Sequence, residues 1–547
     1  MQATMMRYPL TLNHILERAG KLFGKREIVS RLPDKSLHRY VYADFYRRAR
    51  ALAQALQQAG LQRGDRVGTL MWNHYAHLEA YFGIPAAGGV LHTLNLRLHP
   101  DDIAWIANHA EDRFLIVDDV LLPLFEKVKA QIRVERVIVA PLTGKPVPAG
   151  YDNYEQFLQT ATGDFQYPDL DENAPCGMCY TSGTTGRSKG VVYSHRSTVL
   201  HAFMQALPDQ WDVSSRDVVL PVVPMFHANA WGVPYTATMI GAKQVFPGPH
   251  LDAENLLDLF DCEQVTITGG VPTIWLGLLQ TLERNPGRWR LKPRMLVGGS
   301  AVPESMIRAY EKHNLEVVHA WGMTEISPIG TMARLKPGLE QRPPDEQFAY
   351  RAKQGVAVPF VEVRVIGDHG EAPWDGQTVG EIQVRGPWVT ASYHNVPQDP
   401  EKFTPDGWLR TGDVATIDAE GYVKITDRTK DLIKSGGEWI SSVDLENAVM
   451  GHAAVQEAAV IAVPHPRWQE RPLAVIVLKP SAKATADDIR HYLAERFAKW
   501  MLPDAYVFVS EIPRTSTGKF LKTKLREEYK NWRWDEAQSS QAVPQAL

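Results

Sequence analysis

The segment YTSGTTGRSKG, residues 180–190, packs hydroxyls, glycines and a lysine into one short stretch. Thr181, Ser182, Thr184, Thr185 and Ser188 are hydroxyl donors, and Lys189 is a cation. Gly183, Gly186 and Gly190 let backbone N–H groups approach an anion closely, so the chemistry this spacing suits is the cradling of phosphate. The segment is not a G-x-x-x-x-G-K-[ST] loop: Gly183 and Gly186 stand too close together, and no Gly-Lys-Ser/Thr follows. A Ser/Thr/Gly surface linker has a similar composition, but the apolar entry and the helix-like run after Gly190 favour a phosphate loop. Downstream, GMTE (322–325) sets Glu325 beside Thr324, and a carboxylate is a hard oxygen ligand of the kind Mg²⁺ takes. Asp413 follows Thr411 and Gly412, and one carboxylate can accept from two hydroxyls of a ribose. Arg428, Lys430 and Lys434 form a charged run that on its own reads as a solvated face, and Lys519 alone carries no assignment.

Three further groupings are read as structural. Cys176-Gly-Met-Cys179 has C-x-x-C spacing without a second pair, on the strand feeding the loop, which suggests packing. His74 and His77 lack an H-E-x-x-H context, so no zinc is expected. His195 and His201 are expected in solvated or capping roles near the helix after the loop.

The elements that must position these residues alternate between short β-rich runs and amphipathic helices over the first four hundred positions. Phe45, Ala49, Leu52, Ala53 and Leu56 form a helical stripe that Gly60 ends. RVGTLMW (66–72), FLIVDD (114–119), RVIVA (136–140) and MLVGG (295–299) read as buried strands. That alternation predicts an α/β fold, a large N-terminal domain of packed βα subdomains with parallel sheets, because a parallel pairing needs a helix-length crossover. After about residue 425 the texture changes. EAAVIAVP (457–464) and RPLAVIVL (471–478) are spaced as neighbouring strands and 485–498 reads as a helix, so a small α+β C-terminal domain is expected. The boundary falls in DRTKDLIKSGGEW (427–439), giving domains 1–427 and 428–547, with a disordered polar tail.

The 547 residues carry 59 basic and 63 acidic side chains, so no polybasic field recruits nucleic acid or anionic lipid. Three cysteines cannot staple a chain of this size, which fits a reducing, cytoplasmic compartment. The N-terminus lacks an uninterrupted apolar core and a small-residue cleavage site, so it is not read as a signal peptide. The most apolar stretch, 218–235, is too interrupted by Pro221, Pro224, His227, Asn229 and Pro234 to span a bilayer.

Five motifs in order resemble the acyl-adenylate-forming family, which comprises acyl- and aryl-CoA synthetases, peptide-synthetase adenylation domains and beetle luciferases. They are YTSGTTGRSKG, VVPMFHANAW (222–231), HAWGMTEISP (319–328), GWLRTGD (407–413) with DRTKDLIKSGGEWIS (427–441), and PRTSTGKFLK (513–522). The resemblance runs from about residue 10 to residue 530.

It implies ATP, CoA and Mg²⁺ as cofactors. Glu325 would hold the metal with Thr181, or with Thr184, close by, and Thr324 would contact the α-phosphate. Thr181, Ser182, Gly183, Thr184, Thr185, Gly186 and Lys189 would cradle phosphate, with Gly299, His319, Ala320 and Trp321 around the nucleotide. Trp321 stands where the family usually has Tyr, and its ring could stack on adenine. Asp413 would take the ribose, Arg428 a nucleotide contact, and Lys430 the hinge of a mobile cap. Lys434, with Trp439 and with Gly436 and Gly437 beside a pantetheine arm, would serve the second half-reaction. Lys519 matches the catalytic lysine of adenylation, so Lys519, Lys434, Glu325 and Thr181 are the catalytic set.

Phe226-His227 stands where amino-acid-activating relatives place Phe-Asp, so no carboxylate waits for an α-ammonium group. Trp231 matches the acyl-tunnel gate of long-chain fatty acyl-CoA synthetases, and His227, Trp231 and Gly322 are the expected acid contacts. Together these imply an ATP-dependent fatty acid:CoA ligase that forms an acyl-adenylate and favours a medium- to long-chain acid. Alternatives are a short or substituted acid such as 3-methylthiopropionate, or acyl transfer to a carrier protein. Partners are a small carboxylic acid, ATP and CoA, with no nucleic acid and at most peripheral membrane contact. The fatty acyl branch also implies a homodimer.

Overall fold

The computed structural model describes residues 1–181, 187–285, 293–435, 438–515 and 518–534. Ser182, Gly183, Thr184, Thr185, Gly186, Gly436 and Gly437 lie outside the described residues. Two parallel-rich sheets dominate the N-terminal part. The first runs, in spatial order, Asp152–Asn153, Arg136–Ala140, Asp112–Asp118, Arg66–Leu70, Val90–Thr93, Pro175–Tyr180 and Gly190–Ser194. The second is centred on Glu316–Gly322, Arg294–Gly298, Ile267–Gly270, Val218–Pro221, Lys243–Phe246 and Glu27–Arg31, all mutually parallel. The chain starts this second sheet at Glu27–Arg31, leaves to build the first, and returns at Val218–Pro221.

Local patterning explains these elements. The helix Tyr42–Gln58 buries Phe45, Ala49, Leu52, Ala53 and Leu56, as the stripe requires, and Gly60 follows it at φ +95°. Tyr75–Ala86 is buried at every residue inside the N-terminal core, where its Glu79 pairs with Arg48 at 2.7 Å. Asn73 fastens the two sheets: its Nδ2 donates to Pro221 O at 3.1 Å and to Val223 O at 2.9 Å. Thr93 Oγ1 donates to Phe226 O at 3.3 Å in the same seam.

The βα alternation stops earlier than the sequence suggests. Residues 362–428 form a separate antiparallel sheet of Gly370–Glu371, Glu362–Gly367, Gly380–Arg385, Leu409–Ile417 and Val423–Arg428. No helix lies in these connections among the described residues, so the strands pair antiparallel. The next strand, Ile433–Ser435, already belongs to a fourth sheet with Glu438–Ile440, Val455–His465, Gln469–Leu478 and Ala505–Phe508. Helices Ser442–Met450, Ala486–Ala494 and Lys522–Glu528 complete this α+β unit.

The C-terminal unit docks on the body through polar contacts that straddle residues 428–433. Lys424 Nζ pairs with Asp444 at 3.0 Å, and Ser442 N–H donates to Asp427 Oδ2 at 2.7 Å. Lys522 Nζ meets Glu446 at 2.7 Å and Ser442 Oγ at 2.6 Å in a buried knot beside Asp427. No described helix is long and apolar enough to cross a membrane.

Candidate active site

The site gathers at the carboxyl ends of the second sheet's parallel strands, where open α/β sheets leave a crevice. Strand Arg294–Gly298 ends at Gly298 and Gly299. A Cβ on Gly298 would lie 2.7 Å from Ala320 O, and one on Gly322 would lie 1.7 Å from Pro328 O. Both positions therefore need glycine, and the backbones they bring together form the floor. The ring of Trp231 lies 3.7 Å from the Gly298 Cβ position, and Lys519 Cε lies 3.8 Å from that of Gly299. Successive floor residues thus carry the acyl-gate candidate and the candidate catalytic lysine.

Lys519 enters from the C-terminal unit on a short reversal: its N–H donates to Thr515 Oγ1 at 3.1 Å, and Thr515 N–H returns to Lys519 O at 2.7 Å. Gly518, at φ +86°, brings that reversal against Thr273 and Val271, which open the helix Pro272–Arg284. Burial pushes the Lys519 ammonium down to about 8, and Arg428 pushes the same way, while Asp413 and Glu325 oppose them. Lys519, Arg428, Asp413 and Glu325 therefore share one field.

Asp413 is the centre of the polar side. Its Oδ2 accepts the Trp321 indole N–H at 2.8 Å, and its Oδ1 faces Arg428 Nε at 3.2 Å. Trp321, expected only as an adenine platform, thus also orients the carboxylate.

Glu325 lies in the 3₁₀ turn Thr324–Ile326 and is buried. Burial raises its carboxyl, and the Tyr393 hydroxyl, donating to Oε1 at 2.8 Å, partly offsets that. Tyr193 OH donates to Thr324 O at 2.8 Å and fixes the turn from below. The stem of the phosphate loop closes through Thr181: its N–H donates to Lys189 O, and its Oγ1 accepts from Lys189 N–H, each at 3.0 Å. Lys189 Nζ lies 4.7 Å above the Tyr393 ring and 3.9 Å from Asp399. Tyr393 therefore joins the loop cation to the Glu325 carboxylate.

On the apolar side, burial pushes His227 down to about 4, aided by Lys519 and Arg97, so its imidazole is neutral at physiological pH. Behind it the backbone does something sequence patterning does not foretell. Ala228, Asn229, Ala230 and Trp231 have φ of 42°, 52°, 49° and 56°, and Gly232 follows at 76°. Such left-handed geometry costs about 1–2 kcal/mol per non-glycine residue. Strain of this kind persists where surroundings over-determine it, and it clusters at functional sites.

Several expected residues stand apart. Lys434 is exposed, with Nζ 4.7 Å over the Trp439 ring and its N–H donating to Glu470 at 2.8 Å, within the C-terminal unit. Lys430 lies in the turn between the two units. His319 is buried with its Nδ1 3.1 Å from Ala352 O, facing the body, while Ala320 lines the floor through its carbonyl. His195 and His201 are not solvated. Both are buried in the core, where His195 Nδ1 accepts Leu12 N–H at 3.2 Å and His201 Nε2 accepts Ile329 N–H at 3.4 Å. Cys176 and Cys179 are packed as expected, with thiols pushed up to about 12 and about 11 by burial. Tyr393, Lys402 and Arg97 join the site without any motif to mark them. Lys402 bears on Glu325, and its Nζ lies 3.8 Å from the Gly412 Cβ position.

Strand ends, the stem of a hydroxyl-rich loop, a buried carboxylate and a lysine delivered by a second unit thus meet in one crevice. The family model for AMP-binding enzymes matches residues 16–394, and that for the AMP-binding enzyme C-terminal domain matches residues 444–519. A long-chain-fatty-acid–CoA ligase of Thermus thermophilus is 52% identical over 97% of both chains. A 3-methylmercaptopropionyl-CoA ligase of Ruegeria lacuscaerulensis is 44% identical over 97% of this chain and 99% of its own. The crystal structure of the anthranilate CoA ligase AuaEII with anthranoyl-AMP superposes with a TM-score of 0.85 at 25% identity, covering 97% of this chain and 99% of that one. The chain belongs to the AMP-binding enzyme family, and these relatives within it are acid–thiol ligases.

Proposed function

We propose that the protein is an ATP-dependent fatty acid:CoA ligase that works through an enzyme-bound acyl-adenylate and favours medium- to long-chain acids. The observation that carries this reading is Lys519 lodged against Gly299 in the shared field of Asp413, Arg428 and Glu325. In the first half-reaction a carboxylate oxygen attacks the α-phosphorus of ATP, and the bond to the bridging oxygen breaks to release pyrophosphate. Charge builds on the phosphoryl and leaving oxygens, where the Lys519 ammonium and the Lys189 cation would meet it. Asp413, steadied by Trp321 and Arg428, would hold the ribose, and neutral His227 would face the carboxylate without repelling it.

Glu325 fits a divalent cation: it is a buried, hard oxygen donor whose carboxyl burial raises despite the Tyr393 hydroxyl and the more distant Lys402 and Arg428 cations. Together with Thr181 it would hold Mg²⁺, which supplies charge neutralisation on the polyphosphate.

In the second half-reaction the C-terminal unit would pivot at Lys430, withdraw Lys519, and bring Lys434, Trp439 and the Gly436–Gly437 stretch to the site. The CoA thiolate then attacks the acyl carbonyl, and AMP leaves. The contacts of Lys424 with Asp444 and of Asp427 with Ser442 span Lys430 and would open in that motion.

The relative named for 3-methylmercaptopropionate supports a second reading, in which the acid is short and substituted. The three free cysteines suit a reducing cytoplasm, and a homodimer follows from the resemblance alone. A panel of acids from propionate to hexadecanoate, scored by AMP formed with CoA present, separates the readings. Preference for eight or more carbons upholds the first, and a maximum at propionate analogues upholds the second. ADP in place of AMP overturns both.

A further inference from the structure

The five consecutive left-handed residues 228–232 need something to hold them. Within the turn, Ala230 N–H donates to His227 O at 3.1 Å, a bond that closes one reversed loop and no more. Val233 N–H donates to Ala230 O at its end, and further restraint comes from two helices and a strand. Gln205, on His195–Gln205, is fully buried, and its Nε2 donates to Trp231 O at 2.5 Å. Its Oε1 accepts the hydroxyl of Thr236, from Val233–Ile240, at 2.5 Å, so the amide is fixed in the orientation that points its N–H₂ at Trp231. Thr236 Oγ1 lies 3.4 Å from Gly232 O as well. At the start of the turn, Cys179 Sγ donates to Asn229 Oδ1 at 3.0 Å. Gly232 cannot carry a side chain, since a Cβ there would come within 2.8 Å of His201 Nδ1.

We propose that Gln205 and Thr236 are positioning residues that clamp the strained turn with the Trp231 indole against Gly298, and thereby set which acyl chain lengths the enzyme accepts. The inference rests on the reading of Trp231 as the acyl gate. Both residues are fully buried and act through the turn. The rotamers open to the indole depend on the φ and ψ of Trp231, so a full swing off Gly298 is helped by rotation of a backbone whose carbonyl Gln205 holds. The stored strain favours that rotation and the clamp opposes it. Removing the clamp therefore makes displacement of Trp231 easier, which benefits an acid long enough to need the space and leaves a short one unaffected.

The test measures kcat/KM for octanoate and for hexadecanoate in the full-length enzyme, with KM for ATP alongside. Thr236→Val removes the hydroxyl at constant shape, and Gln205→Met removes the amide at nearly constant volume. The expected result for either variant is at least a fivefold rise in the hexadecanoate-to-octanoate ratio, carried by KM for the acid, with KM for ATP within twofold. Thr236→Ser restores the hydroxyl and should restore the ratio. In a Trp231→Ala background, where the gate is gone, Thr236→Val should leave the ratio unchanged, because the two act on one element. The proposal is overturned if both variants lower activity equally for the two acids, if the ratio does not move, or if the shift persists in Trp231→Ala. A ratio that Trp231→Ala itself fails to change refutes the gate; a Trp231→Ala effect with silent Thr236→Val and Gln205→Met refutes the clamp alone.

Discussion

Lys519 makes the sharpest quantitative prediction, because its environment shifts its charge state into the accessible pH range. Its ammonium falls from 10.5 to about 8, with burial the largest cause and Arg428 the next. At 1.36 kcal/mol per unit, keeping it charged in the closed site without ATP costs roughly 3 kcal/mol, an upper figure because the residue retains partial exposure. In the proposed adenylation the lysine acts as a cation, so that step should follow its protonated fraction. That fraction is about nine-tenths at pH 7, half at pH 8 and about one-tenth at pH 9. The assay is kcat/KM for ATP in acid-dependent pyrophosphate exchange, which reports groups of the free enzyme. The expected profile bends downward near pH 8 and loses roughly tenfold between pH 7 and pH 9. A lysine at its ordinary value would give a flat profile to about pH 10. Lys519→Arg keeps its charge throughout, so whatever exchange it retains should lack the alkaline limb. Thioester formation from supplied acyl-adenylate should lack it too, since the proposed pivot withdraws Lys519 in that step. A profile flat to pH 9.5, or a limb that survives in Lys519→Arg, refutes the reasoning.

Trp321→Phe keeps an aromatic face but deletes the N–H that donates to Asp413 at 2.8 Å. A hydrogen bond to a charged group contributes about 1.5–3 kcal/mol, so KM for ATP should rise about tenfold or more, with KM for the acid unchanged. Lys522→Ala leaves the buried Glu446 unpaired and should cost roughly 3–5 kcal/mol in urea unfolding of the C-terminal unit. The companion Glu446→Gln, which keeps an acceptor, should cost less, and equal losses would contradict the pairing argument.

The sequence carries the site as types in order, and much of the fold as periodicity. RVIVA reads as a strand and is one, Arg136–Ala140, and the stripe from Phe45 to Leu56 is the buried face of its helix. What it could not carry are facts of long-range pairing. Residues 362–428 look like more βα texture until their hairpins are seen to close an antiparallel sheet of their own. Tyr393 and Lys402 lie between motifs, and only folding brings them to Glu325. His195 and His201 resemble surface histidines, yet the backbone N–H groups of Leu12 and Ile329 claim them. FHANAW gives no local signal for a left-handed turn, since Ala and Trp resist that geometry and adopt it here under tertiary restraint. The docking that delivers Lys519 is likewise unreadable from a hinge motif, because it depends on the Lys424, Asp427 and Lys522 contacts that fix the C-terminal unit.

The most direct measurement is ATP–pyrophosphate exchange without CoA, with and without hexadecanoate, in the wild type and in Lys519→Ala. Exchange that requires the acid and vanishes in Lys519→Ala is expected, while that variant still converts supplied palmitoyl-adenylate and CoA to the thioester. Exchange that proceeds without acid, or a Lys519→Ala enzyme that loses both half-reactions equally, would contradict the assignment of Lys519 to adenylation alone.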